Sequence, residues 1–311
     1  MPVPRVWPDV LGPPGSRSAW TRARGLPRRF AFRAVNSAGF RLGYRLVRED
    51  FYSPLVDLNG LPLEQARSAM GGIAFDSAAQ LRYLSENLGP YLAECDIPDN
   101  GVPGDLFLRN GAYEAFDAEA LYATVRHRRP KRVLEIGSGF TTHIIAKGIA
   151  ANGGGLHQVF DPFARPEIDR LASVSRCSAA EITDAEFAEL SAGDILFVDS
   201  THVVKMGSEV NRVVLDAMPA LAPGVAVHFH DVYLPWDYPS EVFLYARQFM
   251  NEQYLLQAFL ALNPSYKILL ATHAVGRLHP EEVAALIPSV RAGASPCAFW
   301  VERTAAAPRP A

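Results

Sequence analysis

The hydrophobic pattern changes period near residue 130. Upstream, Ala120, Leu121, Thr124 and Val125 recur at helical spacing from Asp117 until Arg128-Arg129-Pro130 interrupts them. Downstream, continuous apolar runs appear at 132–136, 156–160, 194–198, 225–229, 267–271 and 298–301. Runs without polar alternation are buried on both faces, which is the signature of parallel strands covered by helices. Helical patterns lie between them. Ser208 can cap a helix whose Val210, Val213, Val214, Ala217 and Leu221 keep one face apolar until Ala222-Pro223-Gly224 stops it. Over 183–190, Thr183 and Glu186 make a capping-box pair. Strand and helix in alternation predict an α/β fold: a Rossmann-like, doubly wound, mostly parallel sheet.

The N-terminal part reads differently. Residues 1–26 are punctuated by Pro and Gly without apolar periodicity, which predicts a flexible basic tail. From 28 to 48, Phe32, Val35, Phe40, Tyr44 and Val47 alternate with Arg, compatible with an amphipathic helix broken at Gly39 and Gly43. Residues 51–110 alternate short helical stretches, such as 77–88, with Pro/Gly breaks. The predicted organisation is a tail over 1–26, an N-terminal helical cap over 27–115, an α/β body over 116–304 and a short tail over 305–311.

Composition narrows the function classes. The chain has 311 residues, 49% hydrophobic and 20% charged, ordinary values for a globular protein. Its net charge of −3 hides an asymmetry: residues 1–48 hold ten Arg and one acid, Asp9, for +9, leaving −12 on the rest. An acidic body repels phosphate and there is no basic–aromatic stripe, so nucleic acid is not an expected partner. The basic head is expected to serve docking or homo-oligomer formation through the N-terminal region. No run approaches the ~18 apolar residues of a membrane span, and the N-terminus lacks the apolar core of a secretory signal. Cys95, Cys177 and Cys297 are far apart and odd in number, which argues against a disulfide framework and suits a cytoplasmic setting.

Candidate chemistry begins where the first strand ends. Ile136 runs into Gly137-Ser138-Gly139-Phe140-Thr141-Thr142 and a helix expected from about His143. Glycines there let backbone approach a ligand, and the helix start offers free N–H groups. A dinucleotide fingerprint would need a third glycine where Thr142 stands, and no Gly-Lys-Ser/Thr follows, so neither pyrophosphate binding nor a Walker loop is expected. Asp161 closes the second strand at the spacing of a ribose-hydroxyl acceptor. Together they specify a nucleoside site without a diphosphate.

Further along, Asp199 and His202 end one strand, while His228, His230 and Asp231 end the next; all five belong to the carboxyl edge where open α/β folds place their chemistry. Strand alternation puts His228 and His230 on one face and Asp231 on the other unless the strand has ended, so not all five are expected to converge. His202 or His230 suits a general base, with Lys205 as helper or substrate contact. The same residues, chiefly Asp199, His230 and Asp231, could instead hold a metal: Mg or Mn if carboxylates dominate, ferrous iron if two His and one carboxylate do. Trp236 and Tyr238, in a Pro-stiffened aromatic segment, could wall an acceptor or simply pack in the core. Tyr113 and Asp117 could reach over the pocket from the other side, and Asp117 reads at least as well as an N-cap.

Glu135, Gly137, Gly139 and Asp161 resemble the class I S-adenosylmethionine-dependent methyltransferases. Tyr52-Ser53-Pro54, Val198-Asp199-Ser200-Thr201-His202, Gly207-Ser208-Glu209-Val210-Asn211, His228-Phe229-His230-Asp231 and Asn251-Glu252-Gln253-Tyr254-Leu255 are similar to a bacterial small-molecule methyltransferase-like subgroup, over about residues 50–302. The resemblance implies a seven-stranded sheet whose last strand, at 298–301, is antiparallel. It also implies S-adenosylmethionine as cofactor, its methionine end on the turn, its ribose on Asp161 and its adenine near Glu181. Glu135, Ser138, Thr141 and Asp199 complete the expected cofactor set. The expected activity is methyl transfer to a small molecule, preferentially to a hydroxyl, in secondary or specialised metabolism. Cyclisation of the cofactor's aminobutyl arm, a non-catalytic nucleoside-binding module and a nicotinamide-dependent reductase stay open as alternatives.

Overall fold

The computed structural model describes residues 34–44, 55–58, 61, 65–102, 104–244, 248–291 and 294–304. The predicted tails at 1–26 and 305–311 and the Tyr52-Ser53-Pro54 motif lie outside the described residues. The chain divides into two compact units, 1–59 and 60–311. In the first, a helix covers 34–41, within the stretch where an amphipathic helix is expected. The remaining description concerns the second.

Seven strands form one sheet: β1 Arg132–Ile136, β2 Leu156–Phe160, β3 Ser173–Ser175, β4 Ile195–Val198, β5 Ala226–Phe229, β6 Tyr266–Ala271 and β7 Phe299–Arg303. Their order is β3-β2-β1-β4-β5-β7-β6. All neighbours are parallel except β7, which inserts antiparallel between β5 and β6. Six strands fall on the predicted apolar runs. β3 escapes prediction because it has three residues, two of them exposed serines, at the sheet edge.

Helix α1 runs Ser77–Arg82 and continues through a π-helical turn, Tyr83–Leu88, into Gly89–Leu92. It is followed by α2 (Asp117–Arg128), α3 (Phe140–Ala151) and α4 (Asp184–Ala188). The predicted capping box holds at α4, where the Thr183 hydroxyl accepts from the Glu186 N–H. Ser208 caps α5, built from Glu209–Asn211, Arg212–Ala217 and Met218–Ala220, as its pattern predicts. Then come α6 (Ser240–Leu244), α7 (Glu252–Leu260), α8 (Thr272–Leu278) and α9 (Pro280–Leu286). Among the described residues, no helix is long and apolar enough to cross a membrane.

Strand alternation divides the core into two layers. Leu134, Ile136, Leu196, Val198, Val227 and Phe229 pack with Val210, Val213 and Val214 of α5 and Leu256 and Leu260 of α7. Val133, Ile195, Phe197, Ala226 and Trp300 face the other way, against Leu84, Leu88, Leu121, Val125, Ile144 and Ile145 of α1, α2 and α3. At roughly 1.5–3 kcal/mol for each large side chain removed from water, these layers dominate the stability of the unit.

One acid interrupts the second layer. Glu135 is fully buried, and its carboxylate accepts from the Thr141 hydroxyl at 2.6 Å and the Thr142 hydroxyl at 3.1 Å, while His157 Nε2 lies 2.7 Å from its other oxygen. It thereby ties β1 to β2 and to the first turn of α3. Removing one partner from a buried polar set leaves the others uncompensated, at a cost of about 3–5 kcal/mol. Glu135→Ala is expected to lower the unfolding free energy in urea by that amount and Glu135→Gln by less. A loss below about 1 kcal/mol for the alanine variant would remove this tie from the account of the fold.

Candidate active site

Between β1 and α3 the chain turns at Gly137, whose φ is +86°. The Gly137 N–H donates to Phe160 O at 3.0 Å, and the Asp199 N–H donates to Ile136 O at 2.9 Å. A Cβ on Gly137 would lie 1.9 Å from the Asp199 carbonyl oxygen, so both the turn and the close passage of β1 against β4 require glycine. At Gly139 an added Cβ would meet nothing within 4 Å, leaving open ground before α3, which starts at Phe140 rather than near His143. Ser138 Oγ donates to Asp161 Oδ2 at 2.5 Å, and Asp161 Oδ1 accepts from the Phe163 N–H at 2.8 Å. The glycine turn and the acid after β2 are thus one connected surface.

Beside it the polar strand ends converge, with one exception. His228 lies within β5, fully buried, stacked on Phe197 at 4.0 Å with Nε2 3.2 Å from the Tyr113 hydroxyl. Burial and the neighbouring His230 push its pKa well below the usual histidine value, so it is a neutral core group. β5 ends at Phe229, and Asp231 adopts φ +55°, which frees it from strand alternation. His230 and Asp231 therefore both face Asp199. His230 Nδ1 is 3.8 Å from Asp199 Oδ2 and 3.9 Å from Asp231 Oδ1.

His202 closes the group from the β4 loop. Its Nε2 lies 3.4 Å from Asp199 Oδ1 and 3.3 Å from Asp231 Oδ2. Its backbone is left-handed, φ +58°, and held there by the start of α7: the Asn251 and Glu252 N–H groups donate to His202 O at 3.0 and 3.2 Å. These imidazole–carboxylate separations exceed those of good hydrogen bonds, about 2.7–3.2 Å. They match donors arranged around one cation, since groups about 2.0–2.2 Å from an ion stand roughly 3–4 Å from each other. Asp199, His230 and Asp231 can each offer one ligand atom to a common ion.

The electrostatics follow from this crowding. Burial alone would raise the Asp199 pKa, but His230 and His202 beside it hold it down at about 2. Burial would lower that of His202, yet Asp199 and Glu252 outweigh it and hold the ring up at about 10. His230 is likewise pushed well above the usual value against its burial, by Cys297, Asp199 and Asp117. The surrounding groups thus favour the protonated form of both rings.

Behind His230 stand Cys297, which the sequence does not assign to the site, and Asp117, for which it leaves pocket and N-cap both open. Cys297 Sγ is 3.4 Å from His230 Nε2 and 3.5 Å from Asp231 Oδ1, and burial pushes its thiol up to about 12. Asp117 is not an N-cap; Phe116 holds that position. The Asp117 carboxylate instead accepts from Thr272 Oγ1 at 2.5 Å and the Cys297 N–H at 2.7 Å, and lies 3.7 Å from His230 Nε2. The Tyr113 ring lies 4.6 Å from that of His230. Glu252 was visible as part of a motif without a role, whereas no local signal marks Cys297, which lies in the segment that leads into β7.

Other candidates are placed elsewhere. Lys205 is exposed in the loop after β4, and the cluster is built without it. Glu181 turns back to accept from the Ser178 N–H at 2.9 Å in a capping box. Trp236 is buried between Arg67 and Arg277, 5.0 and 4.5 Å from its ring. Tyr238 is buried against Tyr233, Phe243 and Tyr254, with its hydroxyl accepting from the Gln253 N–H. Both aromatics serve packing. Thr141 and Glu135 are committed to each other.

A seven-stranded sheet with one antiparallel strand, a glycine turn after β1 and an acid after β2 form the arrangement that the resemblance to class I S-adenosylmethionine-dependent methyltransferases implies. Residues 134–232 match the family model described as a methyltransferase domain, a stretch that carries the turn, Asp161, Asp199, His202, His230 and Asp231. An uncharacterized protein of Archaeoglobus fulgidus is 31% identical over 104 residues, 30% of this chain, which spans 47% of that relative's length. An O-methyltransferase of Bacillus cereus solved with S-adenosylhomocysteine superposes with a TM-score of 0.40 at 16% identity, over 75% of this chain and 93% of that one. A methyltransferase dependent on S-adenosylmethionine from Archaeoglobus fulgidus gives 0.34 at 12% identity, over 60% and 94%.

The turn makes a sharp prediction. Gly137→Ala forces both a positive φ and a backbone clash, and is expected to cost more than about 3 kcal/mol in chemical denaturation. Ser138→Ala loses one hydrogen bond and is expected to cost about 1 kcal/mol. Comparable losses in the two variants would contradict the close passage of β1 against Asp199.

Proposed function

We propose that this chain transfers the methyl group of S-adenosylmethionine to a hydroxyl of a small molecule. The observation that carries the reading is the convergence of Asp199, His202, His230 and Asp231 directly beside the glycine turn, to which Gly137 joins Asp199. The residues present fit the cofactor: open ground at Gly139 leaves room for its methionine end, and Asp161, already tied to the turn through Ser138, suits its ribose hydroxyls. When bound, the cofactor supplies an electrophilic methyl group on a positively charged sulfur.

What the chain must add is position and a destination for the acceptor's proton. The carboxylates and imidazoles at the strand ends hold the acceptor hydroxyl at the mouth of the turn. Asp199 and Asp231 with the His230 imidazole would suit Mg or Mn, and ferrous iron if His202 joined as a second imidazole. Such an ion supplies positive charge that makes a hydroxyl easier to deprotonate. The donor spacing of 3.3–3.9 Å supports this over a metal-free base, because the rings are too far from the carboxylates for strong hydrogen bonds and yet face one gap.

Calorimetry with S-adenosylmethionine, S-adenosylhomocysteine and NAD tests the cofactor. Binding of the sulfur nucleosides and not NAD is expected, and its absence would sink the reading. Asp161→Ala is expected to weaken S-adenosylhomocysteine at least about tenfold, a loss of ~1.4 kcal/mol or more, with thermal stability nearly unchanged. His230→Ala is expected to leave that affinity intact and to lower label transfer from methyl-labelled cofactor to acceptors in cell extracts, read by mass spectrometry. Elemental analysis of protein purified without added metal, then label transfer with and without a chelator, decides the ion. Full transfer in excess chelator by metal-free protein would exclude it.

A further inference from the structure

We infer that Glu252 is a positioning residue for His202, holding the Nδ1 side of the ring so that Nε2 faces the gap between Asp199 and Asp231. The inference rests on the reading of that gap as the acceptor-activating centre. Glu252 is 1% exposed, and its Oε2 lies 2.9 Å from His202 Nδ1. Its other oxygen, Oε1, is buried with no hydrogen-bond partner. Burying a carboxylate is costly unless it is paired and hydrogen-bonded, and among the described residues His202 is the sole ion-pair partner of Glu252. The fold alone gives little reason for an acid there, whereas the orientation of His202 gives a direct one.

The backbone acts in the same direction. Asn251 and Glu252 open α7 and donate both N–H groups to His202 O, while Asn251 Oδ1 accepts from the Val204 N–H at 2.5 Å. Main chain and side chain of one dipeptide thereby clamp a histidine in a left-handed conformation that a non-glycine residue adopts only under constraint. A histidine that presents one nitrogen to an ion typically gives its other N–H to a carboxylate or carbonyl, which fixes ring orientation and tautomer. Glu252, His202 and the Asp199–Asp231 gap have that arrangement.

The test uses the full chain and three variants, Glu252→Gln, Glu252→Leu and His202→Ala, with cobalt(II) as probe. Two readouts are taken: cobalt affinity by titration calorimetry, and the ¹⁵N resonances of the His202 ring, which report whether Nδ1 carries a hydrogen-bonded proton. The expectation is a 10–100-fold loss of cobalt affinity in Glu252→Leu, a smaller loss in the isosteric Glu252→Gln, and loss of the Nδ1 signature in the leucine variant alone. If His202→Ala weakens cobalt but Glu252→Leu changes neither affinity nor the ¹⁵N pattern, the positioning role is overturned and the ion reading stands. If the unsubstituted chain binds no cobalt, the ion reading fails; if His202→Ala leaves cobalt binding unchanged, His202 is not a ligand of the ion at Asp199, His230 and Asp231; in either case the ¹⁵N comparison decides the role of Glu252 by itself, an unchanged Nδ1 signal overturning it and a lost one supporting it. Should the leucine variant not fold, the glutamine variant decides by the same affinity comparison, an unchanged value overturning the role.

Discussion

The site depends on one close contact, the passage of Gly137 against the carbonyl of Asp199. Because no Cβ intervenes, the ends of β1 and β4 lie side by side, and two peptide hydrogen bonds lock β1 to the strands that flank it. That single approach sets the depth of the turn and the position of the Asp199 carboxylate together. A wider separation would leave an ordinary βα turn on one side and a detached acid on the other. Glu135, two residues before Gly137 in β1, stiffens the same point from below by fastening the first turn of α3.

Burial converts the neighbouring side chains from surface charges into a coupled unit. His202 and His230 are each nearly inaccessible, yet each lies among carboxyl groups whose attraction outweighs desolvation and keeps the rings protonated. His228, two residues from His230, lacks such company and is driven the other way. The contrast arises from where β5 ends: His228 is a strand residue pointing into the core, while His230 lies one residue past the strand. Residue type is the same; the local backbone decides the chemistry.

Much of this was legible in the sequence. Six strands and the cap at Ser208 follow from apolar runs and capping signals, which are local; the antiparallel direction of the last strand came only from the resemblance. β3 was not, being too short and polar for a period. At the site, the grouping of Asp199, His202, His230 and Asp231 follows from their places at strand ends. The position of Asp231 depends on a left-handed residue that strand alternation does not foresee. Glu252 and Cys297 were hidden because they reach the cluster from α7 and from the segment just before β7, places distant in sequence, whereas Asp117 was open to either the pocket or a cap. Trp236 and Tyr238 read as well for a wall as for a core, and only their contacts with Arg67, Arg277 and Gln253 decide between the two.

Asp117 accepts from the backbone of Cys297, a contact spanning 180 residues. The surroundings of His230 are therefore drawn from both ends of the α/β body, and β7, the last strand to be synthesised, is one of the pieces. A nascent chain still lacking β7 has an unpaired edge on β5 and no thiol beside His230, so the centre is assembled only once residues 297–303 have joined the sheet.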